Sequence, residues 1–147
     1  MLGLFWERWG VWVVSLITAA IWCHFKITFP QDPSGLLGAS ATLAAVFAGF
    51  LGVAQGLILT MKDSEAYKIL KENNLLSRLF SYLRSGISSS VFLAVLSVIG
   101  FFLVTPNSGI KSQYKTIYEA MWAFSSMFSF LSYHRITKIM FKLLRHV

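Results

Sequence analysis

Apolar side chains fall in four long runs along the chain, at about residues 9–29, 36–61, 87–105 and 117–139. An α-helix needs roughly 20 apolar residues to cross the ~30 Å hydrocarbon core of a bilayer, and each run is close to that length or above it. The pattern predicts an all-α, polytopic membrane protein: one domain over residues 1–147 with four transmembrane helices. The fourth run is the least uniform, with Glu119 near one end and His134-Arg135 near the other.

The stretches between the runs differ in kind. Residues 27–35, ITFPQDPSG, are short and turn-rich, with two prolines and a glycine. Residues 105–115 open on a Pro-Asn-Ser-Gly turn signal, and Pro106 stops the third run. Residues 62–86 are longer and helical by pattern. Asp63 or Ser64 caps them, and Glu65 suits a first turn. Ile69, Leu76, Phe80 and Leu83 fall near one face, while Lys68, Lys71, Arg78 and Arg84 lie mostly elsewhere. This predicts an amphipathic connector between the second and third transmembrane helices, with Asn73-Asn74 as a place to break it. The first run reads as a retained helix rather than a signal peptide. Arg8 stands beside Glu7, and bulky Trp22, His24 and Phe25 occupy the place of a small-x-small cleavage site. Trp6, Trp9, Trp12 and Trp22 lie near its two ends, as aromatic belts do, and Lys26 snorkels to the interface on its long stem.

Composition agrees with lipid as the solvent. Charged residues make up 13% of the chain and apolar ones 56%, against about 25% charged in a soluble domain. The net charge of +7 does not call for nucleic acid. Ten of the 13 Lys and Arg residues, namely Arg8, Lys62, Lys68, Lys71, Arg78, Arg84, Arg135, Lys138, Lys142 and Arg145, fall on one side of a four-span arrangement. Lys26, Lys111 and Lys115 fall on the other. The positive-inside bias then predicts cytoplasmic termini (N-in/C-in), a cytoplasmic connector and a basic cytoplasmic tail at 140–147. Every base of that larger group after Arg8 is a candidate contact for lipid headgroups or a protein partner.

A second pattern lies inside the second run. Ser40, Ala44, Ala48, Gly52 and Gly56 recur every fourth position, and Ala41, Ala45 and Gly49 form a small row beside them. In lipid, helices associate by close backbone packing and hydrogen bonds, because Leu against Leu gains little over Leu against acyl chain. The stripe therefore predicts a packing surface, either within the protomer or between copies. Gln55 beside it either bonds across helices or lines a polar path through an oligomer. Ser125, Ser129 and Ser132 share a face of the fourth helix, where they either bond back to the i−4 carbonyl or line a wet groove with Gln55. Ser88, Ser89 and Ser90 read as caps opening the third helix.

Catalytic and metal chemistry find no constellation. Glu119 reads as an interfacial acid paired with Lys115 one turn earlier. Cys23, alone in the chain, makes neither an internal disulfide nor a CxxC site and reads as a small buried hydrophobe. His24 and His134 read as interface residues, and the three histidines lack metal spacing. There is no GxSxG, HExxH, P-loop or paired intramembrane acid, so neither an enzyme nor a cofactor is expected.

From Ala44 to about Phe102 the chain carries AAVFAGFLGVAQGL, then KILKENNLLSRLFSYLRSGI, then another span. This resembles small multi-pass membrane proteins encoded beside bacterial anti-phage defence systems, such as the membrane component of Kiwa and retron-linked transmembrane effectors. Phage holins share the same Gly/Ala-rich, polytopic character. The resemblance implies a homo-oligomeric component of the bacterial inner membrane that senses infection or permeabilises the membrane under a cytoplasmic protein partner. The alternatives are a non-conducting anchor or sensor that recruits a soluble effector, and a holin-like or small channel protein outside defence.

Overall fold

The computed structural model describes residues 2–60, 62–63, 65–72, 75–104 and 112–144, and at side-chain level all of these except 2–8, 65–66, 69–70, 75, 112 and 142–144. Ser64, Glu65, Ile69, Asn73-Asn74, the 105–111 turn, Lys111, the Lys142 side chain and Arg145 thus lie outside the residues or side chains described.

Every regular element described is helical: α1 (Leu2–His24), α2 (Ser34–Thr60), α3 (Glu65–Glu72), α4 (Leu75–Leu103) and α5 (Ser112–Leu144). Two of them, α2 over Ser34–Thr60 and α4 over Leu76–Leu103, are long and apolar enough to cross a membrane. The described apolar stretch of α1, Trp9–His24, is shorter.

The first apolar run stops being helical earlier than its composition predicts. Ile27 N–H donates to Trp22 C=O at 3.2 Å and Lys26 N–H to Cys23 C=O at 3.3 Å. These are the paired bonds of a Schellman cap, whose penultimate residue must be left-handed. Lys26 holds that place with φ +48°. Lys26 is therefore a turn residue, not part of a membrane helix. The chain then folds back, and Phe29 packs at 9% exposure among Trp22, Tyr118 and Trp122. At the start of α2, Asp32 accepts hydrogen bonds from Ser34 Oγ (2.5 Å) and Ser34 N (3.1 Å). Both donors favour the carboxylate, led by the hydroxyl, and hold the Asp32 pKa below its ordinary value. The stabilisation from this cap is present above the ordinary carboxylate range and is lost as pH falls through the lower folded value.

The connector is only partly separate. α3 and α4 end and begin on either side of Asn73-Asn74, and residues 75–86 form the first three turns of α4 rather than a free helix. Its amphipathic reading is nonetheless visible. Leu79 and Leu83 are buried, Leu76 and Phe80 are half-buried, and Lys68, Lys71, Arg78 and Arg84 are exposed.

The long helices pack in the lateral order α2, α4, α5, α1: α2 lies mainly on α4, α4 on α5, and α5 on α1. The row is open, because α1 has no comparable contact with α2 or α4 among the described residues. Total exposed surface is 10,118 Å², whereas a compact soluble chain of 16.5 kDa exposes about 7,500 Å².

The seams follow a 3.5-residue period. α2 buries Leu37, Ala44, Leu51 and Ile58, seven apart, with Phe47 and Ala54 between them. α4 buries Leu79, Leu83, Gly86, Ser90, Leu93, Ser97 and Gly100 in alternating steps of four and three, and Val104 just beyond its end continues the series. α5 buries Tyr118, Trp122, Ser125, Ser129, Ser132 and Ile136 in the same way. This is the seam of left-handed packing at small crossing angles. The centre of the row is α4 and α5, not α2 as its small residues predict.

Candidate functional site

Three features stand out: a set of buried polar layers, a lateral groove and an open glycine face.

The polar layers join the helices. Ser90 and Ser129 lie near the middles of α4 and α5, are 0% exposed and are hydrogen-bonded at 2.9 Å. Ser90 also reaches Gly86 C=O at 2.9 Å. This layer separates two apolar clusters, one built around Trp122 and Leu93 and the other around Leu51 and Leu83. Nearer the other end, Ser40 of α2 meets Ser97 of α4 at 2.7 Å, and Trp122 Nε1 of α5 donates to both hydroxyls at 3.3 Å. Tyr118 OH donates to Leu96 C=O at 2.8 Å. Ser129 thus bonds across helices rather than back along its own. Ser89 and Ser90 do bond back, to Gly86, from inside α4 and not as caps.

Glu119 departs most from its sequence reading. It is 5% exposed and accepts a hydrogen bond from Phe29 N at 3.3 Å. Among the described residues it forms no ion pair with Lys115. The fold-back after α1 delivers a backbone N–H to an acid that sequence spacing assigns to a lysine. No local pattern announces this contact, since 90 residues separate its partners.

The groove runs between α1 and α4 with α5 as its floor. Its larger part, about 900 Å³, is walled by Leu16, Phe92, Met121 and Phe124, with Ser88, Ser89, Thr116 and Ser125 also in its lining. A smaller part, about 180 Å³, is lined by Ser81, Ser85, Ser132 and Arg135. The two share Trp12, Ser85 and Phe128. Cys23 is exposed at the far end of the groove and is not a buried hydrophobe. The Arg135 guanidinium lies 3.8 Å over the Tyr82 ring, a cation–π stack.

The small-residue stripe does not stay on one face. Steps of four residues advance about 40° each around a helix of 3.6 residues per turn, so the stripe turns through about 160° between its ends. Ser40 and Ala44 face the α4 seam, Ala48 is half-buried, and Gly52 and Gly56 emerge on the far side. A Cβ added at Gly49, Gly52 or Gly56 would meet nothing within 4 Å. The glycines that packing does require are on α4. A Cβ at Gly86 would lie 2.7 Å from Ile136 Cδ1, and one at Gly100 would lie 2.9 Å from Leu37 Cδ2 and clash with the Tyr118 hydroxyl. Only their 3.5-residue spacing with Ser90 and Ser97 marks them in the sequence.

The proposed polar path is not assembled within one protomer. Gln55 is half-buried on α2, makes no hydrogen bond among the described residues and lines neither part of the groove. Ser125 and Ser132 open on the α1 side of α5. Of the basic candidates, Lys62, Lys68, Lys71, Arg78, Arg84 and Lys138 are exposed and Arg135 is half-buried. No group of three or more His, Cys, Asp or Glu that would hold a metal occurs among the described residues.

No protein-family model, curated protein or solved structure matches the chain.

Proposed function

We propose that this chain is a four-span membrane protein, N-in/C-in, acting without catalysis as a self-associating component of a bacterial inner membrane. One observation carries the membrane reading: the polarity is inverted relative to a soluble protein. Ser15, Ser90, Ser97 and Ser129 are fully buried, whereas Phe102 is 76% exposed, Val53 65% and Leu16 58%. Water would penalise that arrangement, and hydrocarbon favours it. Helices α1 and α5 join the two longer apolar helices as spans in this reading, with the 3.5-residue seams supplying the packing. The glycine face of α2 supplies the contact between copies. The output is membrane perturbation or permeabilisation under a cytoplasmic partner, in the anti-phage role that the resemblance implies.

A second reading has a specific observation behind it. Ser90 bonds to Ser129 and Ser97 to Ser40 within the protomer, which suits a non-conducting anchor that recruits an effector through the exposed bases of α3 and the start of α4.

Membrane potential, followed by a dye in bacteria expressing the chain alone, separates the two. Prompt depolarisation by the native chain, abolished in Gly52→Leu, is the expected result for a perturbing assembly. An unchanged potential favours the anchor. In that case charge reversal at Lys68, Lys71 and Arg78 should remove the co-purifying partner.

A further inference from the structure

We propose that the groove between α1 and α4 binds one anionic phospholipid of the cytoplasmic leaflet, with its headgroup at Arg135 and one acyl chain along α5. The inference rests on the membrane reading and orientation proposed above.

Polarity changes across two adjoining cavities that share Trp12, Ser85 and Phe128. The smaller part has Ser81, Ser85, Ser132 and Arg135 in its wall, four side chains that donate hydrogen bonds to phosphate oxygens. The larger part, entered past Trp12 and Phe128, is walled by Leu16, Phe92, Met121 and Phe124. An apolar groove alone would accept any hydrocarbon. Hydroxyls line both parts, with Ser85, Ser88, Ser89, Thr116 and Ser125 in the larger one, so the Arg135 guanidinium sets the smaller end apart, and a cationic end beside an apolar groove selects an amphiphile with an anionic head.

Orientation and length agree. In the N-in/C-in arrangement the polar end, near the start of α1 and the end of α5, faces the cytoplasmic leaflet. That leaflet carries the anionic lipid, and each nearby base adds attraction to it. From Arg135 back to Phe124 the groove follows α5 over eleven residue steps, about 17 Å at ~1.5 Å per residue. One leaflet supplies about half of the ~30 Å hydrocarbon core, so an acyl chain headed at Arg135 ends near Phe124.

Arg135 is held for the task. Its guanidinium lies 3.8 Å over the Tyr82 ring, which holds the cation in the wall of the smaller cavity, and guanidinium is the side chain best suited to phosphate. A second copy is the weaker occupant, because the open glycine face lies on α2, at the opposite edge of the row.

The test uses the full-length chain in phosphatidylcholine vesicles with a minority of phosphatidylglycerol. After mild-detergent extraction, native mass spectrometry counts the lipids retained. One phosphatidylglycerol per protomer is expected, enriched over its share of the vesicle. Arg135→Gln should lower its retention roughly five-fold, about one base's worth of attraction to an anionic surface. Ser88→Phe, which fills the groove between Arg135 and Phe124, should lower retention with Arg135 intact. Val53→Phe, on an exposed face outside the groove, should change nothing. Thermal melts by circular dichroism accompany each variant, and the phosphatidylglycerol preference of the native chain stands whether or not a variant folds. Equal retention of the two lipids, unchanged retention in two folded groove variants, or a lipid-free dimer would overturn the site. An alkaline carbonate wash separates the two levels of the argument. Release of the chain from the vesicles overturns the membrane reading, whereas a chain that stays embedded without lipid preference overturns only the lipid site.

Discussion

Lys26 and Glu119 show how single residues take roles set by the turn between them. Lys26 sits at φ +48°, where a side chain bearing Cβ costs about 1 kcal/mol or more and glycine costs little. Replacing it with glycine should raise stability by about 1 kcal/mol in reversible unfolding from mixed micelles, the relief expected for one left-handed residue. A variant no more stable than the native chain would mean that the lysine side chain gains as much there as the backbone loses. Glu119 depends on the same turn, because the N–H it accepts belongs to Phe29, three residues beyond the cap.

Glycines divide into two classes when α2 and α4 are compared as elements. Gly86 and Gly100 lie in the α4 seam, where an added methyl meets side chains from α2 and α5. Gly49, Gly52 and Gly56 lie on the open face of α2. Gly100→Ala should therefore cost about 1–3 kcal/mol through overpacking, read as a lower melting temperature of the monomer. Gly52→Leu should leave that melt at or above its native value, since leucine favours helix over glycine, while reducing cross-linked oligomer. Oligomers unchanged in Gly52→Leu would remove α2 as the contact between copies. The four-residue spacing that singles out Gly52 and Gly56 is a genuine helical pattern, yet its drift against the 3.5-residue seam carries it away from the partner helix.

The open row of helices, with its bases gathered at one end, bears on the molecule as a whole. Asp32 and Asp63 are both exposed, and the proposed orientation puts them on opposite faces of the membrane. In a Cys23→Ala background, Asp32→Cys should react with a membrane-impermeant maleimide applied from outside. Asp63→Cys should react only after permeabilisation. Labelling of both from the same side would contradict the alternation of four spans and the groove orientation derived from it.

Composition and period were enough to read an all-helical chain, the four long apolar runs, the amphipathic residues after Asp63 and the concentration of bases. All of these are properties of neighbours along one chain. The serine face of α5 was legible for the same reason, since Ser125, Ser129 and Ser132 share it in any helix. Tertiary structure alone decided what those faces meet. It brought Ser90 to Ser129 and Ser40 to Ser97 and Trp122, drew Glu119 onto the Phe29 backbone, and placed α4 and α5 rather than α2 at the centre. The groove belongs to this second class, because its walls come from three helices far apart in sequence. Helical periodicity is local and can be read from spacing. Pairing between helices depends on which side chains are short enough to let two backbones approach, and that becomes visible only when both surfaces are present.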